Sequence, residues 1–116
     1  MNKALELLRA LEEFDILIKD LQRPDYKALG FNLKKNLLDF LKSVEEEREK
    51  IRKKIDKELL AEYDRIKKHY GEKVVVQVIK DFCGGCYVRL PSEIAGRCQR
   101  EVLTCPHCGR FLYRVR

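Results

Sequence analysis

Cys83-Gly84-Gly85-Cys86 and Cys105-Pro106-His107-Cys108 decide the fold of the second half of this 116-residue chain. Eighteen residues lie between the two pairs, giving C-x2-C-x18-C-x2-C. That spacing suits a single zinc site built from two turns. Each C-x-x-C is tight enough to aim two sulfurs at one point. Two such knuckles place four thiolates in a tetrahedron, which suits Zn²⁺ at about 2.3 Å per Zn–S bond. Four protein ligands leave no open position for water or substrate. One structural zinc per chain is therefore expected, held by Cys83, Cys86, Cys105 and Cys108. Gly84 and Gly85 allow positive φ and let backbone N–H groups approach the sulfurs; Gly109 can do the same for the second turn.

Competing readings of the cysteines are weaker. The first residues, Met1-Asn2-Lys3-Ala4-Leu5-Glu6, carry charges where a secretory leader needs an apolar run. A reducing, cytoplasmic location is expected, where disulfides are rare. A thioredoxin-like site needs one C-x-x-C in a βαβ unit, and no such unit is legible. A two-zinc cross-brace needs two sets of four ligands, more than the five Cys and two His supply. Cys98, between the pairs, reads as a small buried apolar residue. His107 sits inside a knuckle turn and His69 near a helix end.

Working outward, Lys73 to Lys80 is β-branched and strand-like and leads into the first knuckle. Tyr87 to Leu90 leaves it as a short strand, Pro91 to Gly96 is a turn or one helical turn, and Arg100 to Thr104 returns to the second knuckle. Phe111 to Val115 forms the last strand, with Phe111, Tyr113 and Val115 on one face and Leu112, Arg114 and Arg116 on the other. Knuckle, strand, turn, strand, knuckle, strand is the order of a zinc ribbon.

Before Gly71 the periodicity is helical. Ala4, Leu7, Leu11, Phe14, Ile18 and Leu21 form a heptad seam over a helix from Asn2 to Gln22. Pro24 stops it, and Asp25 to Gly30 is a turn. A second helix is expected from Asn32 to His69, capped by Asn32. Its seam runs through Leu37, Leu41, Val44, Arg48, Ile51, Ile55, Leu59, Tyr63, Ile66 and Tyr70. Consecutive four-residue steps near Ile55 resemble a stutter, and Arg48 marks a weak or exposed part of the packing. A hairpin covers only about half of the longer helix at 1.5 Å per residue. Ile51, Ile55, Leu59 and Ile66 then need a partner, so a two-fold homodimer is expected, ahead of the alternative that the ribbon folds back over them. The fold class is α plus small β: an antiparallel helical hairpin or coiled coil over 1–70, followed by a zinc ribbon over 71–116.

Charged residues make up 38% of the chain, and formal net charge is +6. Four thiolates around one Zn²⁺ bring this to about +4. Such a balance permits nucleic-acid or acidic protein partners and demands neither. No apolar run reaches the ~20 residues of a membrane span.

The stretch Cys83-Gly84-Gly85-Cys86-Tyr87-Val88-Arg89-Leu90-Pro91, followed by Cys105-Pro106-His107-Cys108-Gly109-Arg110-Phe111-Leu112-Tyr113, resembles the bacterial C4-type zinc ribbon family. Members carry an N-terminal coiled-coil hairpin, much longer in a typical member than here. The resemblance implies a non-enzymatic adaptor. In some relatives that role is linked to transcription and flagellar assembly. It carries over the four zinc ligands and no defined binding surface.

Two functions compete. One is a nucleic-acid-binding module for RNA or DNA, acting in transcription or RNA-related regulation. Arg89, Arg97, Arg100, Arg110, Arg114 and Arg116 are then candidate phosphate contacts. Tyr87, Phe111 and Tyr113 can stack bases if exposed, although Phe111 better suits the ribbon's core. The other is a protein-interaction scaffold or chaperone-like adaptor, with a partner held on the helices. No enzyme is expected: no nucleophile set, carboxylate pair, phosphate loop or open metal site can be named.

Overall fold

The computed structural model describes residues 2–22 and 31–114. Its elements run α1 (Lys3–Leu21), α2 (Phe31–Lys54), α3 (Lys57–Tyr70), β1 (Val75–Ile79), β2 (Phe82–Cys83), α4 (Ser92–Arg97), β3 (Leu103–Thr104) and β4 (Phe111–Tyr113). The class is α plus small β, as the sequence implies. The stop at Pro24, the turn over Asp25 to Gly30, and Val115 and Arg116 lie outside the described residues.

α1 begins where the Asn2 side chain accepts the Ala4 N–H at 2.8 Å. The single helix expected from Asn32 to His69 is instead two. α2 ends at Lys54, and Asp56 caps α3 by accepting the Glu58 N–H at 3.1 Å. An aspartate in this position competes well with helix continuation, because its carboxylate satisfies an N–H that the new helix would leave bare. Arg52 and Asp64 span the break with two hydrogen bonds of 3.0 and 2.9 Å. The break turns Ile55 inward, to 6% exposure.

Arg48 is also not a weak point of the seam. It donates to Asp15 of α1, whose carboxylate is buried and also receives the Tyr63 hydroxyl at 2.8 Å and Lys67 at 2.9 Å. One carboxylate therefore ties all three long helices together. Burial raises its pKa, but the hydrogen bonds from Lys67, Tyr63 and Arg48 more than offset this and hold it below its ordinary value.

The sheet order is β2-β1-β4-β3, with β1 and β4 parallel and the two outer pairs antiparallel. The expected strand over Tyr87 to Leu90 is reduced to one bridge, Phe82 to Arg89. The alternation in β4 holds: Phe111 and Tyr113 pack with the helices, while Leu112 packs on the cysteine side. The helix-side cluster joins Leu5, Leu8 and Leu11 to Ile55, Tyr63 and Ile66, and these to Val74, Val75 and Phe111. Glu12 adds a polar tie by accepting the N–H groups of Val74 and Val75. Ile51, Ile55, Leu59 and Ile66 are thus packed within the chain. Their exposure was the ground for expecting a homodimer, and that ground is gone.

Candidate metal centre

Four cysteines from two turns meet at one end of the sheet. Their Sγ atoms all lie within 4.8 Å of one another. The closest approaches run between the knuckles: Cys83 to Cys108 and Cys86 to Cys105, each at 3.7 Å. A tetrahedron with metal–sulfur bonds of about 2.3 Å has edges of about 3.8 Å. The sulfurs are therefore spaced for an ion between them, and far beyond the ~2 Å of a disulfide. Cys83 and Cys105 are buried, and Cys86 and Cys108 half-buried. Cys98 takes no part; it is fully buried and its thiol donates to the Ala95 carbonyl at 3.2 Å.

The two knuckles share one hydrogen-bond frame. Gly85 N–H donates to Cys83 Sγ at 3.4 Å, and His107 N–H to Cys105 Sγ at 3.4 Å. Tyr87 N–H donates to the Cys83 carbonyl at 2.8 Å, and Gly109 N–H to the Cys105 carbonyl at 2.9 Å. In each, the residue after the second cysteine is left-handed: Tyr87 at φ 62° and Gly109 at φ 83°. The expected positive φ at Gly84 and Gly85 is thus corrected. These glycines serve close approach instead. A Cβ on Gly84 would lie 2.3 Å from the Gln77 carbonyl oxygen, and one on Gly85 2.6 Å from Arg110 Cδ. The left-handed position of the first knuckle falls on a tyrosine, where an L side chain costs about 1–2 kcal/mol.

Burial pushes the Cys83 thiol up to about 12 and raises Cys105 as well, against N–H bonds that favour their thiolates. At Cys108 burial is overcome by the Arg110 backbone N–H and guanidinium, together with the thiols of Cys105 and Cys83, and its pKa comes down to about 7. Arg110 is held in place by stacking on Tyr70, 3.7 Å from the ring centroid. The Tyr70 hydroxyl donates to the Cys108 carbonyl at 2.7 Å. The second knuckle is thereby fastened to the end of α3.

The six arginines proposed as phosphate contacts do not form one surface. Arg97 is paired with Glu93 and Glu101, Arg110 is stacked on Tyr70, and Arg114 donates to the Ala95 carbonyl at 3.0 Å. Arg89 and Arg100 are exposed, and Arg116 lies outside the described residues. Of the three aromatics, Phe111 is core, Tyr113 packs under Arg9 at 4.1 Å, and only Tyr87 is free, at 67% exposure.

Sequence reading missed other exposed apolar residues in the same segment as Tyr87. Ile79, Phe82 and Val88 are also exposed. Ile79 and Phe82 are cross-strand partners, and Val88 accepts the Cys83 N–H through its carbonyl. Between them, Lys80 and Asp81 form a two-residue turn with φ of 48° and 70°. Both centres left-handed is the geometry of the tightest hairpins, usually filled by Asn-Gly or Asp-Gly. The Ile-Lys-Asp-Phe run carries no such signal.

Two solved structures are similar. The HP0958 protein of Helicobacter pylori matches at a TM-score of 0.65 and 29% identity, over 72% of this chain and 36% of that one. CT398 of Chlamydia trachomatis matches at 0.53 and 24% identity, over 74% of this chain and 40% of that one, a likeness of fold alone. This chain thus spans less than half the length of either. No protein-family model matches it, and no curated protein is significantly similar.

Proposed function

We propose that this protein is a non-enzymatic adaptor, a short relative of the C4-type zinc ribbon proteins, whose zinc-held ribbon presents a face to a protein partner. The single observation that carries this reading is that four large apolar side chains, Ile79, Phe82, Tyr87 and Val88, are exposed within one short segment around the first knuckle. Apolar side chains gathered on a surface mark contact sites more often than isolated ones do. Zinc is the ion of choice for the donor set: four thiolates, tetrahedral spacing and no open position. A Zn(Cys)4 centre carries two negative charges, and the Arg110 guanidinium beside Cys108 offsets part of them. Closed coordination gives the ion a folding role and no substrate to activate. A cleft of about 920 Å³ contains Asp15, but Arg48, Tyr63 and Lys67 already occupy that carboxylate.

Nucleic-acid binding is the second reading. The observation favouring it is that Tyr87, the free aromatic, lies close in sequence to the exposed Arg89. Base stacking with a phosphate contact needs both.

A photo-crosslinking benzoylphenylalanine placed at position 87 in living cells separates the two. A discrete protein adduct, lost when Cys105→Ser removes a ligand, supports the adaptor. A nucleic-acid adduct transfers the function to the second reading. No adduct at all would mean that the knuckle is not a binding face.

A further inference from the structure

The Arg110 side chain meets three parts of the molecule at once. Its guanidinium lies 3.7 Å from the centroid of the Tyr70 ring at the end of α3 and donates to Cys108 in the second knuckle. Its stem runs against Gly85 in the first knuckle. A Cβ on Gly85 would lie 2.6 Å from Arg110 Cδ and 3.0 Å from both Nε and Nη1. The Arg110 carbonyl accepts the Cys105 N–H at 2.8 Å, so the backbone beneath the side chain is fixed as well.

Two further features set this arginine apart. Its Nε is buried and has no hydrogen-bond partner. Arg48, Arg52 and Arg97 each pair with a carboxylate, whereas among the described residues Arg110 pairs with none. A cation placed in this way calls for a compensating anion. Four thiolates around one Zn²⁺ leave two negative charges, and Cys108 brings them beside the guanidinium. The four-sulfur site is thus the counter-ion of Arg110.

Exposure of the cysteines adds a direction. Cys83 and Cys105 are buried, while Cys86 and Cys108 are half-buried, so a competing ligand approaches past the latter two. Arg110 spans that approach, from Cys108 to the residue before Cys86. Resting on the closed zinc site described above, and on neither partner reading, we propose that Arg110 is a positioning residue of the metal centre. It keeps Cys108 aimed, covers the half-exposed side of the four sulfurs and slows metal exchange. Tyr70 and Gly85 hold it there, one from the helices and one from the first knuckle. Glycine at position 85 is then explained by the arginine that lies on it, and the end of α3 sets the kinetic stability of the ribbon's metal site.

The test is zinc transfer from the loaded full chain to excess pyridylazoresorcinol, read beside the charge-transfer bands of the cobalt-substituted chain. Arg110→Gln should release zinc about tenfold or more faster than the parent, the usual scale when a group that orients a ligand is lost. It should also move the cobalt–thiolate band to longer wavelength, because a sulfur that loses an N–H donor holds its lone pair less tightly. Arg110→Lys keeps the charge without the planar fork and should restore only part of either readout. Gly85→Ala leaves Arg110 in the sequence but drives a methyl into its stem, and should speed release too. Tyr70→Phe keeps the ring and loses the bond to the Cys108 carbonyl; Tyr70→Leu loses both, and should be the faster of the two. The Arg110→Gln/Tyr70→Leu double variant should release little faster than its faster single, since both act through one side chain. Leu90→Ala, in the cysteine-side core, lowers ribbon stability and should leave the cobalt band in place.

Release from Arg110→Gln within about twofold of the parent, or an unmoved cobalt band, would overturn the proposal. Multiplying effects of Arg110→Gln and Tyr70→Leu would do the same, by making the two residues independent. So would release that follows the thermal midpoint alone across every variant, Leu90→Ala included. Should Arg110→Gln fail to take up metal, the rates of Gly85→Ala, Tyr70→Phe and Tyr70→Leu decide: equal rates overturn the proposal. A parent chain that binds neither zinc nor cobalt would remove the metal centre itself, a result distinct from an Arg110 without effect.

Discussion

The two cysteine knuckles are near copies in backbone and opposites in surroundings. Each repeats the same N–H to sulfur and N–H to carbonyl contacts. The second is fixed to the helices: the Tyr70 hydroxyl holds the Cys108 carbonyl, and Arg110 lies across the Tyr70 ring. The first packs its cysteines with Ala95 and Ile94 of α4, makes no hydrogen bond to the long helices among the described residues, and is flanked by exposed apolar residues. What they share is the geometry that four sulfurs around one ion require. What differs is assigned by the flanking sequence: glycine and an anchored arginine after Cys108, tyrosine and valine after Cys86. One knuckle is tied to the long helices, and the other is flanked by exposed apolar residues.

The largest expected effect removes what the knuckles have in common. Cys105→Ser, or a strong chelator, should release zinc and unfold the ribbon, since a structural zinc contributes on the order of 10 kcal/mol to such a fold. The helices should not escape. Val74, Val75 and Phe111 belong to the same apolar cluster as Leu5, Leu8 and Ile66. Helical signal should therefore survive at low temperature but melt earlier than in the zinc-loaded chain. An unchanged helical melt would show that the shared cluster contributes little. Acid should act in the same direction. Cys83 and Cys105 have raised pKa values, so both hold protons at neutral pH until metal displaces them. Release of at least two protons makes apparent zinc affinity fall by about 100-fold or more per pH unit on acidification. A zinc titration between pH 6 and 7.5 checks the slope.

Next in size is the helical platform behind the second knuckle. Asp15→Ala leaves Arg48 and Lys67 beside each other without their carboxylate, and should cost about 3–5 kcal/mol in denaturant unfolding. Because the folded pKa of Asp15 lies below its ordinary 3.8, its contribution is present above that value. The contribution is lost as pH falls through the depressed folded value. Glu12 has the opposite sign: burial raises its pKa above the ordinary 4.5 despite two N–H bonds. Its ionisation disfavours the fold as pH rises through the raised value. Acid unfolding below pH 4 should thus be blunted in an Asp15→Asn variant and unaffected by Glu12→Gln. Closer to the knuckle, Tyr70→Leu removes one hydrogen bond and the Arg110 stack, for about 2 kcal/mol. The same measurement on Val88→Thr, at the first knuckle, should show almost no change.

How far this was legible from the sequence follows the same division. Cysteine spacing is read directly because a metal site would fix it, and the four cysteines converge as expected. The alternation of Phe111, Leu112 and Tyr113 is read because a strand has a strict period of two. The break at Asp56 was not, because a helical seam and a capping aspartate give opposite signals and only tertiary packing of Ile55 decides between them. Arg48 was misread for a related reason. A charge on an apolar seam reads as a defect until its partner, Asp15, 33 residues away, is known. The exposure of Ile79, Phe82 and Val88 escaped because these are residue types that a sequence pattern assigns to a core. The arginines escaped because composition counts cations without showing that Glu93, Tyr70 or Ala95 already engages them.

The smallest effects sharpen the comparison most, because they change the residue at the left-handed position that both knuckles share. Gly109→Ala meets no atom within 4 Å of the new Cβ, so its cost is that of φ +83° alone, about 1–2 kcal/mol. Tyr87→Gly runs the other way. It relieves a left-handed φ of 62° and removes a ring that is 67% exposed and so contributes little packing. Gly also gains entropy when unfolded, which offsets part of the relief. The net expectation is a thermal midpoint unchanged or raised by an equivalent of about 1 kcal/mol, with zinc content intact. A residue whose removal leaves the fold as stable or more stable is not there for the fold. If Tyr87→Gly instead destabilises the ribbon, the tyrosine is packing more than its exposure suggests. The first knuckle would then be a structural element like the second, with no face to offer a partner.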